Sequence, residues 1–561
     1  MDRRLLLAIG LMLIVAILPS LLWPPDRTAA PGTAADAADT IPAGTPAPAD
    51  SAPPHADAAV PPSLGPTPAA APVAADTTPA TGAERVVTVS SPLYAFRFSS
   101  RGGRLVGATL REYEALAAGD SGPAQLLPPD SRFLAYGFVE GRDSLPFDTG
   151  DFAPDVETVD VGSAGARLEW NGWAGQRAVR LVYTFAPDRY GFEVEGDIGG
   201  NAEGVLTVGL GPRLLSVDGD TVADIRSFGV VTKANRTERV NFSSLDPGER
   251  RELAGPFEWV AIKSKYFVQA VLALDAGGPQ FGGALAVGGP KPGRFATDVA
   301  LLTSLPVAGG RFRHSVYLGP QEYRRLARIG HDLEDVNPYG WVFRPIIRPF
   351  ANFIVRILLW MHDTMKVGYG WVLILFGILV RVLLWPLNQK AMRSSTAMQA
   401  IQPEMKAIQE RYKNDPPRQQ QEMLKLYKEH GVNPLGGCLP MLIPMPVLFA
   451  LFFVFANTIE FRGVPFLWLP DLSRADPYYI IPIVMGASMF LLTWLGQRGL
   501  PPNPQAKMMM YLMPGMFTFL FLNFSSGLNL YYAVSNIASL PQQLLISRER
   551  ARKLGARSGK G

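Results

Sequence analysis

The residue with the clearest chemical potential in this sequence is Arg381, because it lies within an apolar run that is long enough to cross a membrane. It follows the start of the run Gly370 to Leu387 by eleven positions, which is about 16 Å along a helix. An arginine at mid-bilayer costs about 2.5 to 3.5 kcal/mol to insert and should therefore face protein or water. Alternatively, its long side chain snorkels to the cytoplasmic interface, about two turns away. The sequence alone leaves both interpretations open.

Polar residues on other apolar runs could join Arg381 in a hydrophilic groove that ends within the membrane. Taken singly, such residues are ordinary hydrogen-bonding groups between membrane helices. They are Asn457, Thr493, Thr518, Asn523, Asn529, Ser535 and Asn536. An intramembrane cation among polar groups would attract acidic or polar segments rather than make bonds.

Bond-making chemistry has no candidate residues in this sequence. It contains no GxSxG nucleophile elbow, no P-loop and no GxGxxG fingerprint. His314 stands alone in a strand-like segment, and a lone histidine is more often structural than a ligand or base. Cys438 has no partner, which excludes a disulfide framework. We therefore predict a protein that is not an enzyme and has no metal site and no cofactor.

The composition divides the chain into two unlike halves. The 561 residues are 48% hydrophobic and only 18% charged, below the roughly 25% of ordinary soluble domains. The net charge of +4 is the sum of two unlike parts. Residues 1–340 contain 30 Lys and Arg and 39 Asp and Glu, whereas residues 341–561 contain 23 Lys and Arg and 10 Asp and Glu. An acidic first half therefore precedes a basic and apolar second half.

The N-terminus predicts a membrane anchor followed by a tether. The run from Leu5 to Trp23 follows Arg3 and Arg4, and its nineteen residues nearly cross a bilayer. No small-x-small cleavage site ends it, so an uncleaved anchor over 1–23 is favoured over a cleavable signal peptide. Residues 24–83 are dominated by Ala and Pro and predict a disordered tether.

Residues 84–340 predict a large β-sandwich domain. Period-2 alternation is visible at Tyr94, Phe96 and Phe98, and Gly, Pro, Asp and Asn clusters interrupt the strands about every ten residues. Without catalytic motifs, this domain is interpreted as a binding or scaffolding module.

Residues 341–387 and 435–546 supply most of the predicted membrane helices. In the first range, Asn352 to Met361 is predicted to be an amphipathic interfacial helix. One face carries Phe353, Ile357 and Trp360 or Met361, and the other side carries Arg348, Arg356 and His362. The Gly370 to Leu387 span follows this helix. Four more runs cover residues 439–457, 478–495, 507–524 and 528–546. With the N-terminal anchor, these make six transmembrane helices.

The distribution of basic residues predicts the orientation. Loops 388–434 and 496–507 and the basic tail 547–561 carry an excess of Lys and Arg, whereas loop 460–477 does not. Both termini are therefore predicted in the cytoplasm, with the β domain on the opposite side of the membrane.

The cytoplasmic loop 388–434 predicts a helical hairpin with a methionine-rich seam. Asn414-Asp415-Pro416-Pro417 ends the first helix, and a second begins near Arg418. The seam residues recur at helical spacing and are Met398, Ile401, Met405, Ile408 and Tyr412 on the first helix and Met423, Leu424 and Tyr427 on the second. Met suits a surface for varied apolar partners, but the hairpin's own core is the favoured interpretation.

Several stretches resemble the bacterial YidC membrane protein insertases of the YidC/Oxa/Alb family. The resemblance covers essentially the whole chain except the tether and is densest over residues 340–546. The segments that carry it are Asn433–Pro446, Asp476–Gly486, Ser526–Asn536, Val380-Arg381 with Trp385-Pro386, Lys265-Tyr266-Phe267 after Trp259, and Tyr317–Pro320. The large domain between the first two spans matches the Gram-negative form.

The resemblance implies a polytopic α-helical membrane protein with a five-helix insertase core and a large all-β periplasmic domain, a β-supersandwich. The core would enclose a groove that is open to the cytoplasm and to lipid but closed to the periplasm. By this analogy Arg381 is the groove arginine rather than a snorkelling one, and the hairpin meets the substrate first. Two positions depart from the family pattern, Pro444 and Asn523.

The expected function is insertion and folding of integral membrane proteins in the bacterial inner membrane. The resemblance implies nascent membrane proteins, the ribosome, the SecYEG translocon with accessory Sec proteins, signal-recognition components and membrane lipids as partners, and no small-molecule substrate. The expected groove lining is Arg381, Asn457, Thr518, Asn523, Tyr531, Tyr532, Ser535 and Asn536. The expected hairpin contacts are Met398, Met405, Ile408, Tyr412, Met423 and Tyr427.

Two other classes of protein are alternatives. A secondary transporter or channel for a small solute would show internal repeats and paired intramembrane charges, whereas Arg381 stands alone and no repeated halves are visible. A membrane-tethered periplasmic carbohydrate-binding or chaperone module would need one span rather than six with a cytoplasmic hairpin.

Overall fold

The structure, a computed structural model, describes residues 83–274, 281–293, 296–337, 344–431, 445–498 and 504–558. The predicted anchor over 1–23, all but the last residue of the tether, and most of the Asn433–Pro446 stretch with Pro444 lie outside these ranges.

The first part of the described chain is an all-β domain built from three sheets. One sheet has five strands, in the order β4 (Pro123–Gln125), β3 (Leu105–Glu114), β2 (Tyr94–Ser99), β1 (Val86–Ser90) and β8 (Thr158–Asp160). The alternation that predicted strands is confirmed here, because Tyr94, Phe96 and Phe98 are all buried on one face of β2.

The second sheet has nine strands, in the order β14 (Thr237–Asn241), β13 (Gly229–Lys233), β16 (Trp259–Lys263), β17 (Phe267–Leu272), β20 (Arg311–Pro320), β11 (Gly191–Ile198), β10 (Arg177–Phe185), β9 (Ala166–Ala174) and β7 (Ala153–Pro154). Its central strands β16 and β17 are buried throughout. Rings of the first two sheets meet in the core, for example Phe98 and Phe192 at 5.5 Å.

The third sheet has six strands, in the order β15 (Arg250–Phe257), β18 (Phe281–Gly288), β19 (Val299–Val307), β12 (Gly204–Gly209), β5 (Tyr136–Glu140) and β6 (Asp143–Pro146). His314 on β20 connects it to the nine-stranded sheet, because its Nε2 lies 3.0 Å from the Tyr136 hydroxyl. His314 is fully buried, and burial lowers its imidazole pKa to about 4. This environment fits the structural role expected of a lone histidine.

Helices dominate the second half of the described chain. Two short helices belong to the β domain, α1 (Thr221–Arg226) and α2 (Tyr323–Ile329). The others are α3 (Arg344–Met365), α4 (Tyr369–Ala400), α5 (Gln402–Arg411), α6 (Pro416–Glu429), α7 (Met445–Asn457), α8 (Ile480–Gln497), α9 (Pro504–Phe521) and α10 (Ser526–Ser558).

Within the described ranges, two helices are long and apolar enough to cross a membrane. They are Tyr369–Gln389, the first part of α4, and Ile480–Gln497, which is α8. Val447–Asn457 and Met510–Phe521 are shorter apolar helices. The predicted run 528–546 lies in α10, a helix that continues to Ser558. The count of six spans therefore stays a prediction.

The interfacial helix differs from its prediction in length and in its buried face. It covers Arg344–Met365 rather than Asn352 to Met361. Phe353 and Trp360, predicted on its apolar face, are 63% and 60% exposed, whereas the buried face carries Ile347, Ala351, Ile354, Leu358 and Met361. The prediction was incomplete because α3 has two apolar sides, one packed on α7 and one directed outward.

The boundary drawn between the second span and the hairpin at residue 388 is not a helix boundary. Helix α4 continues through Pro386 to Ala400, so Met398 lies on the same helix as Arg381. The break comes at Ile401, between α4 and α5. The prediction of one helix through Met398 and Tyr412 was therefore wrong, because a turn interrupts the periodic seam.

Candidate functional site

Arg381 is directed at a neighbouring helix. Its Nε donates a hydrogen bond to the Ser535 carbonyl oxygen on α10 at 3.0 Å. The residues that follow it, Val382 and Leu383, are strongly exposed on the other side of α4. In the described part of the chain, no carboxylate forms an ion pair with Arg381. An arginine in this position keeps donors and a positive charge available beside a protein interface.

Close packing of α4 on α10 positions the arginine. A Cβ at Gly377 would lie 3.3 Å from a methyl group of Val534, so the two backbones approach closely there. The rings of Phe376 and Tyr531 lie 5.8 Å apart, on the side of Arg381 towards the N-terminus of α4. One turn beyond Arg381, the Gln542 Nε2 donates to the Trp385 carbonyl at 2.9 Å.

The side of α10 that follows Ser535 carries buried polar residues that sequence reasoning missed. Ser539, Gln542 and Gln543 are buried, and the Ser539 hydroxyl donates to the Ser535 carbonyl at 2.7 Å. Their spacing could have identified them in the sequence, since positions 535, 539 and 542 lie on one face of a helix. These residues extend the polar surface from Arg381 towards the end of the helix that leads into the basic tail.

Two more predicted residues, Asn536 on α10 and Thr518 on α9, both contact α8. The Asn536 Nδ2 donates to the Ser488 hydroxyl on α8 at 3.2 Å. Thr518 on α9 faces Gly486 of α8 so closely that a Cβ at Gly486 would lie 1.8 Å from the Thr518 hydroxyl. The Tyr532 hydroxyl is buried and has no hydrogen-bond partner among the described residues.

Two of the eight predicted groove residues lie elsewhere. Asn457 ends α7 and lines a small cavity with Gln321 and Glu460 at the β domain. Asn523 is exposed in the turn between α9 and α10. Both are located at the ends of apolar runs rather than in the middle of the helix layer. Their inclusion in the groove lining is not supported by their positions.

Most of the predicted seam residues are buried or half-buried, and they lie on α5 and α6, in the turns that flank α5, and, for Met398, on α4. Ile401 is buried, and the seam residues that are half-buried are Met398, Met405, Ile408, Tyr412, Met423 and Tyr427. Leu424, predicted in the seam, is 51% exposed, and Leu426 is buried in its place. Asp415 caps α6 by accepting a hydrogen bond from the Arg418 amide at 3.2 Å. The two helices therefore partly cover each other's apolar sides.

Comparison with known proteins covers both halves of the chain. Residues 86–360 match the family described as the YidC periplasmic domain, and residues 360–553 match the 60Kd inner membrane protein family. The membrane protein insertase YidC of Syntrophus aciditrophicus is 32% identical over 83% of this chain and 85% of its own length. That of Geobacter metallireducens is 30% identical over 98% and 99%.

The chain belongs to the YidC family of membrane protein insertases. Its function is the insertion of proteins into membranes, and the family acts on nascent membrane proteins. Insertases are not known as an enzyme family. The YidC family assignment also gives the chain a membrane location, with the all-β domain as its periplasmic domain.

The YidC periplasmic domain is joined to the helical region through buried charged groups. Arg462, in the loop between α7 and α8, forms an ion pair with Asp218 and donates to the Val217 carbonyl at 3.0 Å. Its guanidinium lies 5.3 Å from the centre of the Phe267 ring. Burial raises the pKa of the Asp218 carboxyl, and the charge of Arg462 opposes that shift.

Helix α3 makes the second half of this joint in the YidC fold. The Arg356 guanidinium donates to the Tyr323 hydroxyl at 3.0 and 2.9 Å. Arg348 forms an ion pair with the buried Asp335 at 2.7 Å. The polar side predicted for this helix therefore faces the periplasmic domain.

Proposed function

We propose that this insertase acts in the bacterial inner membrane, alone or with the Sec translocon, through a hydrophilic groove that contains Arg381. The observation that carries the proposal is the placement of Arg381 beside the buried polar side of α10. No carboxylate among the described residues neutralises this arginine. Its charge is therefore available to the acidic or polar segment of a substrate.

Such a groove lowers the cost of moving a polar segment into a bilayer. In the hydrocarbon core of a bilayer, every backbone polar group needs a hydrogen-bond partner. Ser535, Ser539 and Gln542 form a polar strip that would shorten the apolar path of the substrate's polar segment. The driving free energy would be burial of the substrate's apolar segment, about −0.3 to −0.6 kcal/mol per Leu, Ile, Phe or Val. The membrane potential would assist by acting on acidic residues.

The proposed topology has six spans, a five-helix core, both termini in the cytoplasm and the β domain, as a supersandwich, in the periplasm. The excess of Lys and Arg in loops 388–434, 496–507 and 547–561 supports it. Large apolar side chains such as Leu383 and Phe519 are exposed on the helix surfaces, as expected for contact with lipid.

In this proposal the hairpin meets the nascent chain before the groove does. Its half-buried methionines can accept varied apolar segments if α5 and α6 separate. The ribosome, SecYEG, accessory Sec proteins and signal-recognition components would act on the same cytoplasmic side. The basic tail would lie near them.

Site-specific crosslinking to a ribosome-stalled small membrane protein tests the groove. Crosslinkers at Arg381 and Thr518 should capture the polar segment of the substrate. Phe519 provides a matched control, because it follows Thr518 directly and is strongly exposed. It should capture lipid or the apolar segment instead. Absence of nascent-chain adducts from both groove positions, together with solute flux into vesicles, would favour the transporter alternative.

The charge of Arg381 can be tested separately from its size. Arg381→Lys should retain insertion, whereas Arg381→Gln should slow insertion of substrates with acidic segments more than that of substrates with neutral ones. Equal losses for both substrate classes would contradict an electrostatic role for the groove.

A further inference from the structure

We propose that the joint between the periplasmic domain and the helices contains a binding site for a hard divalent cation such as Ca²⁺. The site is a small cavity where four chain segments meet: the end of β20, the helix α2, the short 3₁₀ helix Leu333–Val336, and the end of α7 with the loop that follows. Its polar lining is Gln321, Glu334, Asn337, Asn457, Thr458 and Glu460. A cation held here would connect the β domain to the membrane-embedded helices.

The orientation of Gln321 provides the first observation. Gln321 is 3% exposed, and its Nε2 donates to the carbonyls of Phe267 at 2.6 Å and Ser264 at 3.2 Å. These two bonds fix which end of the amide is the oxygen, and that Oε1 has no hydrogen-bond partner among the described residues. A buried acceptor without a donor is costly. The site therefore offers an oxygen ligand that the surrounding protein does not satisfy.

Glu460 provides the second observation. Its Oε2 is buried and also lacks a hydrogen-bond partner among the described residues. A buried carboxylate stays ionised only where a counter-charge or hydrogen bonds compensate it. Gln321 and Glu460, which line the cavity from opposite sides of the domain boundary, thus each carry an acceptor without a partner among the described residues.

The nearby arginines are already committed to other carboxylates. Arg324 pairs with Asp363, Arg325 with Glu322, and Arg348 with Asp335. Within the described ranges, neither Glu334 nor Glu460 forms an ion pair. Within the described ranges, the two carboxylates at the cavity therefore lack a paired positive charge.

The ligand chemistry selects the class of cation. Carboxylate and amide oxygens are hard ligands, which Ca²⁺ accepts in flexible geometry together with waters. Asn337 is excluded from the ligand set because its Oδ1 accepts from the Lys263 amine. The remaining oxygen donors are Glu460, Gln321, Glu334, Asn457 and Thr458, which lie on segments from both domains. A site of this kind belongs to the weaker class, with a Kd of about 10⁻⁴ to 10⁻³ M.

Equilibrium binding of radioactive Ca²⁺ to the full chain tests the proposal. The protein would be chelator-treated and placed in nanodiscs of a neutral phosphatidylcholine, so that lipid headgroups do not bind the ion. The wild type should bind one saturable Ca²⁺ per chain. Glu460→Gln and Gln321→Met should each weaken binding at least tenfold, and Gln321→Met does so without a change in net charge. Glu157→Gln, at an exposed carboxylate of the β domain, should leave binding unchanged.

Hydrogen exchange supplies a second readout. Ca²⁺ should slow exchange at the ends of β20 and α7 in the wild type and not in Glu460→Gln. If Glu460→Gln does not fold, Glu334→Gln takes its place, with the same expected tenfold loss. Absence of saturable binding in the wild type would overturn the proposal. So would binding that persists unchanged in the Glu460 or Glu334 variant and in Gln321→Met, since the ion would then bind elsewhere.

Discussion

Removing Arg462 should loosen the joint between the periplasmic domain and the helices. Arg462 and Asp218 have side-chain exposures of 4% and 6%, and the pair is surrounded by Val217 and Phe267. Arg462→Met keeps most of the side-chain volume but leaves the Asp218 carboxylate buried without its partner. The loss is therefore electrostatic rather than steric.

The magnitude follows from the burial of the pair. Breaking a buried ion pair by removing one partner typically costs about 3 to 5 kcal/mol. Asp218 is further disfavoured as an anion because burial already raises the pKa of its carboxyl. At about 1.4 kcal/mol for each factor of ten, the local opening equilibrium should rise by about a hundred- to a few thousand-fold. The double variant with Asp218→Leu should recover much of this loss, since it also removes the carboxylate that Arg462 neutralises.

Native-state hydrogen exchange of the full chain measures this opening directly. Suitable amides are that of Leu116, which donates to the Val217 carbonyl at 2.8 Å, and those of the loop 459–476. Arg180→Met is a matched control, because Arg180 pairs with Glu169 at an exposed surface. It should change exchange at these amides no more than severalfold. Acceleration below tenfold in Arg462→Met, or a double variant as destabilised as the single one, would refute the reasoning.

Three other predictions concern the periplasmic core and the helix layer. Because burial lowers the pKa of His314 from 6.5 to about 4, the folded state binds fewer protons than the unfolded state between these values. The periplasmic domain should therefore lose about 3 kcal/mol of stability as pH falls from about 6.5 to 4. If thermal unfolding of His314→Phe showed an equally steep dependence of stability on pH, this would contradict the prediction. Gly486→Ala should reduce the yield of folded protein in membranes, because the added Cβ would meet the Thr518 hydroxyl. Adding Thr518→Ala to this variant should partly restore the yield. A normal yield of Gly486→Ala alone would show that α8 and α9 are farther apart. Asp476→Ala should speed amide exchange in the first turn of α8, because it removes a carboxylate that accepts a hydrogen bond from the Ile481 amide at 2.8 Å. Unchanged exchange in this turn would exclude the capping role of Asp476.

Periodicity made the β domain predictable from the sequence. Alternating residues such as Tyr94, Phe96 and Phe98 identify a strand without knowledge of its neighbours, because side chains on a strand point to opposite faces in turn. Periodicity was less informative for the hairpin. The spacing from Met398 to Tyr412 is helical throughout, yet the chain turns at Ile401. A periodic pattern records which side is apolar and does not record where the backbone breaks.

The sequence by itself determined the class of this protein: its apolar runs, its alternating strands, the position of Arg381 within an apolar run, and its family. Those features depend on local composition and on short-range spacing. Only the tertiary structure decided which polar residues meet, because that depends on which helices are neighbours. It placed Asn457 at the periplasmic joint instead of beside Arg381, added Gln542 to the polar side of α10, and paired Arg462 with Asp218 across 244 positions of sequence. Contacts so distant along the chain leave no periodic signal in one sequence, since each partner is selected by the packing of whole elements.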